Sequence, residues 1–216
     1  MRKVQFANNE FYHVYNRGVD HRQIVMNTQD SNRFVKSLTY FNSREPIGSI
    51  AEFDRKTDSD EDKVRKPLVK IIAFCLNPNH FHLILEQLEE NGISRYMKSL
   101  LGGFTKYFNA IHRRSGCLLQ GPYKAKHIND NNYLLHLSAY VNLNNRLHKI
   151  GNRVSDFVRS SWKEYTIGTS TELCNKDIVL EQFKSRDDYK KYALELLPDM
   201  IEKRKGYKEL EHLMFD

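Results

Sequence analysis

The run from Lys70 to Glu86, Lys-Ile-Ile-Ala-Phe-Cys-Leu-Asn-Pro-Asn-His-Phe-His-Leu-Ile-Leu-Glu, constrains this chain more than any other stretch. Apolar and β-branched residues precede Asn77-Pro78-Asn79 and alternating residues follow it, which predicts two strands joined by a turn. Side chains two apart on a strand share a face. His80 and His82 therefore point together, and Phe81, Leu83 and Leu85 point the other way. Two neutral imidazoles converging from one strand make half of a divalent metal site. The plainer alternative is a pair of partly exposed histidines beside a turn.

Upstream, Phe11-Tyr-His-Val-Tyr15 predicts a short aromatic strand that ends at the turn signal Asn16-Arg17-Gly18. His13 either faces the histidine pair or fills the sheet. Asn16 and Arg17 sit where a strand end offers phosphate or base contacts; a plain turn with a solvated arginine is the competing reading. A helix is expected from about Thr28 to Phe41, with Thr28 as N-cap, Asp30 in the first turn, and Phe34, Val35, Leu38 and Phe41 on its apolar face. Residues 42–67 break the pattern and carry the run Asp58-Ser-Asp-Glu-Asp-Lys63, an expected exposed insertion within which Ile47–Phe53 could dock locally.

Downstream, Met97, Leu100, Leu101, Phe104, Phe108 and Ile111 recur at three or four residues after a possible cap at Ser94. Tyr107 borders this stripe. Gly102-Gly103 costs on the order of 1 kcal/mol per glycine inside a helix, which points to close approach or a bend. Lys124 and Lys126 alternate in a short extended piece and suit a phosphate backbone. A further helix is expected from about residue 131 to Val141, ended by Asn142-Leu-Asn-Asn145. Trp162 either stacks on a base or docks on the surface. The tail from Thr171 suggests two short helices, after which Pro198 interrupts and a last charged segment follows.

The chain has 216 residues and a formal charge of +7, which favours a polyanionic partner and makes nucleic acid the first to test. No apolar run is long enough to span a membrane and the N-terminus lacks a signal-peptide core, so the expectation is a cytoplasmic protein without a membrane partner. Cys75, Cys117 and Cys174 suggest neither a disulfide framework nor a zinc knuckle. A tyrosine on a packed helix beside two strand histidines would allow metal-assisted attack of a phenol on a phosphodiester. For a third ligand, His112, Gln120, His13 and His127 are candidates; Lys106, Arg113, Lys124 and Lys126 would hold the strand.

These ordered motifs resemble the IS200-like transposase family, in particular the REP-associated tyrosine transposases of the HUH endonuclease superfamily. The resemblance rests on Phe11–Gly18, Leu76-Asn-Pro-Asn-His-Phe-His-Leu83, Phe104-Thr-Lys-Tyr-Phe-Asn-Ala-Ile-His-Arg-Arg-Ser-Gly116, Gln120–Lys126, Tyr133–Asn144 and Arg159–Tyr165. It covers roughly residues 8 to 166. It implies an α+β fold with a ferredoxin-like antiparallel sheet backed by helices. It also implies a Mg²⁺ or Mn²⁺ cofactor, and cleavage and joining of single-stranded DNA with hairpin-forming ends through a 5′-phosphotyrosine intermediate. Residue by residue, His80 and His82 match the paired ligands, Tyr107 the nucleophile and His112 a third ligand from the same helix. Tyr12, Tyr15, Tyr96 and Tyr123 compete less well with Tyr107. Asn77 replaces a common methionine, and Asn145 a common proline. The expected organisation is a catalytic domain over residues 1–168 and a helical C-terminal appendage over 169–216, in a monomer or homodimer. Competing readings are a hairpin-binding protein on this scaffold that does not cleave, and a metal-binding or structural domain without a DNA role.

Overall fold

The computed structural model describes residues 4–50, 52–53, 66–148, 155–169 and 173–213. The acidic run of the expected insertion lies outside the described residues. The first part of the chain folds as β1 (Phe11–Arg17), α1 (Thr28–Tyr40), β2 (Val69–Leu76), β3 (His80–Gln87), α2 (Gly92–Ile111) and β4 (Lys124–Ile128). A two-residue strand, β5 (Arg159–Ser160), completes a five-stranded sheet of order β4-β1-β3-β2-β5. All pairings are antiparallel. A β-α-β-β-α-β chain with β1 and β3 in the middle is the ferredoxin-like arrangement, as expected.

Residues paired across antiparallel strands share a face, so the register assigns each side chain to one side of the sheet. Phe81 is opposite Asn16 and Leu76, whereas His82 is opposite Tyr15 and Cys75. Tyr15 is in turn opposite Lys124, and His13 opposite Lys126. The Phe81 face is covered by α1 and α2. Phe34 of α1 lies 5.5 Å from the Phe81 ring and meets Phe104 of α2 edge-on at 5.0 Å. Met97, Leu100, Phe104 and Phe108 are buried, as their spacing predicts. Gly103 is explained here: a Cβ at this position would come within 2.4 Å of the Phe41 ring. The glycine lets α2 approach the end of α1, the close approach its cost implied.

The other face is covered by α3 (Asn131–Asn142), which continues after one residue into α4 (Asn144–Leu147). Behind them pack α5 (Trp162–Thr166), α6 (Asp177–Leu180) and the long α7 (Arg186–Leu213). The tail is stitched to the sheet where the β2–β3 register shifts between Ile71 and Ala73. Asn175 N–H donates to the Ile71 carbonyl at 2.8 Å, and the Tyr165 hydroxyl to the Ile72 carbonyl at 2.8 Å. Tyr189 of α7 is fully buried, and its hydroxyl accepts from Asn142 Nδ2 at 2.8 Å.

Local signals are corrected in three places. The N-cap of α1 is Asn27, not Thr28: Asn27 Oδ1 accepts from Asp30 N–H while Asp30 Oδ2 accepts from Met26 N–H, a reciprocal cap. The N-cap of α2 is Asn91 in the left-handed region (φ 59°), not Ser94. Helix α7 runs through Pro198, where the tail was expected to break. Burial of Tyr189, Ala193 and Met200 on either side of the proline holds the helix to the domain despite the lost backbone bond. Ile50 is buried and Phe53 meets the Tyr40 ring at 5.1 Å, so the Ile47–Phe53 patch does dock locally.

Candidate functional site

His80 and His82 lie on β3, the central strand, and share a face as the alternation requires. Their rings stand nearly perpendicular, 5.3 Å apart. His80 opens β3 directly after Asn77-Pro78-Asn79, and both asparagines grip it. Asn79 Oδ1 lies 2.7 Å from His80 Nδ1, and Asn77 Nδ2 lies 2.8 Å from His80 Nε2. The first contact needs a proton on Nδ1 and the second a lone pair on Nε2, which sets the tautomer. The turn is therefore also a clamp.

The second hydrogen of the Asn77 amide goes to Asn144 Oδ1 at 2.7 Å. Asn144 Oδ1 is 3.0 Å from His80 Nε2. In this tautomer two lone-pair atoms converge on the Asn77 amide, whose hydrogens take the place an ion would fill. Adjacent ligands of an octahedral ion with bonds of 2.0–2.1 Å lie about 3 Å apart, so the observed pair has the spacing of two cis ligands. Asn144 is fully buried.

His82 is 8% exposed, and its Nδ1 lies 2.9 Å from Nε2 of His13. The two rings stack at 5.1 Å. With His82 Nδ1 as donor, its Nε2 keeps the lone pair that a metal requires, and His13 orients it in the manner of an outer-shell partner. Burial lowers the pKa of His82 well below the usual histidine value, reinforced by His13, His80 and His148. It likewise lowers His80, against the Asn144 bond, and lowers His13 to about 4. All three rings are thus neutral at neutral pH. Cys75, paired with His82, has its thiol pushed up to about 12 by burial and offers no thiolate. Among the described residues no cluster of three His, Cys, Asp or Glu could hold a metal ion. The donor set that fits is two histidines with an amide oxygen, leaving positions for phosphate oxygens or water.

Two tyrosines meet this set: Tyr15 of β1 lies flat against His82 at 5.6 Å and His13 at 4.9 Å, and Tyr140 of α3 meets it edge-on. The Tyr140 ring stands 5.5 Å from His82 and 6.3 Å from His13. Burial raises the Tyr140 phenol above its usual value, opposed by the Asn144 amide and the Arg204 charge. Tyr140 and Asn144 stand on either side of the α3–α4 junction at Leu143, and the Asn144 amide acts on the Tyr140 phenol. The apolar residues Leu134, Leu137 and Val141 anchor α3, and Asp130 caps it through the Asn132 and Tyr133 N–H groups.

Tyr107, the expected nucleophile, is on the other side of the sheet. It packs against Phe104 at 6.0 Å under α1, and its hydroxyl donates to Asp30 Oδ1 at 3.4 Å. Burial, and next the Asp30 carboxylate, raise its pKa. His112, the expected third ligand, binds the same buried carboxylate through Nε2 at 2.9 Å. These residues join α1 to α2 and do not meet the histidine pair. The reason is topological: α2 leaves β3 toward the Phe81 face, and the histidines point the opposite way.

The other candidates divide likewise. Lys124, Lys126 and Arg17 lie on the histidine face, with Arg17 opposite His80 and hydrogen-bonded to Gln120. Lys126 Nζ lies 4.7 Å over the Tyr133 ring. Asn16 is buried on the Phe81 face, where it donates to the Gly121 carbonyl at 3.1 Å and accepts from Arg17 N–H. Lys106 and Arg113 are exposed on and just beyond α2, away from the histidines. His127 pairs with Tyr12 on the Phe81 face and binds Glu10. Sequence reasoning passes over Tyr140, Asn144 and His148. The available signal was a tyrosine and an amide four residues apart.

Fold and site together define an α+β protein with a histidine pair, an amide and a tyrosine converging on one face of an antiparallel sheet. No family model and no curated protein matches the chain. Among solved structures, it is similar to the structure of a REP-associated tyrosine transposase bound to a REP hairpin, at 15% identity and a TM-score of 0.49, over 81% of this chain and 93% of that one. No described helix is long and apolar enough to cross a membrane.

Proposed function

We infer that this chain is a metal-dependent single-strand DNA endonuclease and strand transferase that works through a phosphotyrosine intermediate. Tyr140, not Tyr107, is the nucleophile, and His80, His82 and Asn144 are the metal ligands. The observation that carries this reading is the 3.0 Å approach of Asn144 Oδ1 to His80 Nε2, with the Tyr140 ring 5.5 Å from His82 on the same face of the sheet. The chemistry a Mg²⁺ or Mn²⁺ ion supplies when bound there is polarisation of the scissile phosphate.

The residues of the chain do the rest. The Tyr140 oxygen attacks phosphorus and the O3′–P bond breaks. The phenol proton is lost to solvent, and the departing 3′ oxygen takes one up. The 5′-phosphate is left on tyrosine, ready for attack by a second 3′-hydroxyl, so no external energy source is needed. Asn79 holds His80 through Nδ1 and leaves Nε2 for the ion, His13 holds His82, and Lys124, Lys126 and Arg17 draw the strand across the histidine face. Hairpin-ended single strands, by the resemblance above, are the substrates to try.

The test is incubation with Mn²⁺ and single-stranded hairpin oligonucleotides, with adducts resolved on denaturing gels and mapped by mass spectrometry. Tyr140→Phe should lose the adduct by about a thousandfold or more, while Tyr107→Phe should keep it. An adduct mapped to Tyr107 would overturn the assignment. Cleavage without any adduct would move the protein to a water-dependent mechanism, and hairpin binding without cleavage would favour a non-cleaving protein on this scaffold.

A further inference from the structure

The tail from residue 173 lies outside the stretch that carries the resemblance, yet one of its side chains reaches the site. Arg204 of α7 donates through Nη1 to the Leu147 carbonyl at 2.6 Å and through Nη2 to His148 Nδ1 at 2.8 Å. The His148 ring rests on His80 with centroids 4.4 Å apart. We propose that Arg204 is a positioning residue for His80 and Asn144, acting through His148 and the turn that carries it; this rests on the endonuclease reading above.

The geometry is that of a clamp with two jaws. In the plane of its ring, His80 is held by Asn77 and Asn79. Out of that plane it is held by His148. His148 is itself fixed, because accepting at Nδ1 places its proton on Nε2 and stops rotation of the ring. The same guanidinium grips the Leu147 carbonyl, and His148 N–H donates to the Asn144 carbonyl at 3.2 Å. One planar fork thus braces the turn bearing the amide ligand and the ring covering the histidine ligand. A lysine has no fork and could satisfy only one jaw well.

Two further features make the arrangement coherent. Helix α7 continues past Pro198, and only that continuation carries a side chain from the tail to position 204. The Arg204 charge also acts on both His80 and Tyr140. A cation held there favours an anionic phosphate and a developing phenolate without occupying the ligand positions.

The experiment uses the full chain with MnCl₂, titrated by calorimetry and by electron paramagnetic resonance, beside adduct kinetics on a single-stranded hairpin oligonucleotide. Arg204→Ala and Arg204→Lys should each weaken Mn²⁺ binding by about 10–100-fold, the usual cost of losing an outer-shell partner. Adduct formation should slow while KM for the oligonucleotide stays near wild type. In the metal-free protein, ¹⁵N spectra should show His148 in its Nε2–H form and lose that bias in Arg204→Ala. His148→Phe keeps a ring against His80 but accepts nothing from Arg204, and should behave like Arg204→Lys; it decides the matter if Arg204→Ala unfolds. Wild-type Mn²⁺ affinity in folded Arg204→Ala or His148→Phe overturns the proposal alone. A raised KM with unchanged Mn²⁺ affinity also overturns it, making Arg204 a strand contact. No Mn²⁺ binding by the wild-type chain overturns the endonuclease reading and this proposal with it.

Discussion

The two faces of the sheet are built from the same strands, yet they are governed by different physics. On the Phe81 face, α1 and α2 meet the strands through rings and aliphatic chains. Among its polar groups, Asp30, Tyr107 and His112 form one cluster that ties α1 to α2. On the histidine face, α3 and α4 meet the same strands through imidazoles, amides and a phenol, each with specified partners. Apolar packing tolerates many arrangements of similar volume, whereas a buried polar network works only when each member is satisfied. The first face makes the domain stable. The second makes it able to hold something.

The contrast can be broken most directly at adjacent residues of β3. Phe81→Ala removes a fully buried ring and should cost roughly 3–5 kcal/mol in denaturant unfolding. His80→Ala, one residue away on the partly exposed side, should cost less, about 1–3 kcal/mol for the buried amide it leaves unpaired, while abolishing Mn²⁺ binding. Equal losses of stability would show that the two faces do not divide the work as described.

A smaller effect sharpens the picture of the polar face. His13→Ala leaves the histidine pair intact but removes the partner of His82 Nδ1. Mn²⁺ affinity should fall by about 10–100-fold, read by calorimetry. An unchanged affinity would reduce His13 to a packing residue of β1.

The smallest effect concerns the support behind that face. Tyr189 is buried and bonded to Asn142, and its pKa is raised, first by burial. A phenol with a raised folded-state pKa contributes stability that is complete below the unfolded value near 10 and is lost as pH rises. Tyr189→Phe should therefore cost about 1–2 kcal/mol at pH 7, and the gap to wild type should narrow above pH 10. A gap that stays constant to pH 11 would place the phenol in solvent.

How much of this was legible beforehand differs between the faces in the same way. The strands around Asn77–Asn79, the shared side of His80 and His82, and the buried stripe of α2 follow from periods of two and of three to four, which are local properties of the chain. The ferredoxin-like order came from resemblance and is met by the strand register. That Tyr107 and His112 stand on the Phe81 face was not legible, because a stripe shows which side of a helix is buried, not which side of a sheet buries it. The crossover after β3 decides that, and it carries α2 away from the histidines.

By itself, then, the sequence determined the secondary elements, the apolar faces and the histidine pair, since each depends on residues within a few positions of one another. Only the tertiary structure could bring Asn144 to His80 across 64 residues, Tyr140 to His82, and Arg204 to His148. The physical reason is that metal ligands and nucleophiles must converge to within a few ångströms, and convergence of distant segments is set by strand order and helix placement. Asn77 makes the point. In the chain it looks like part of a turn; in the fold its one amide joins the histidine of β3 to the asparagine of α4.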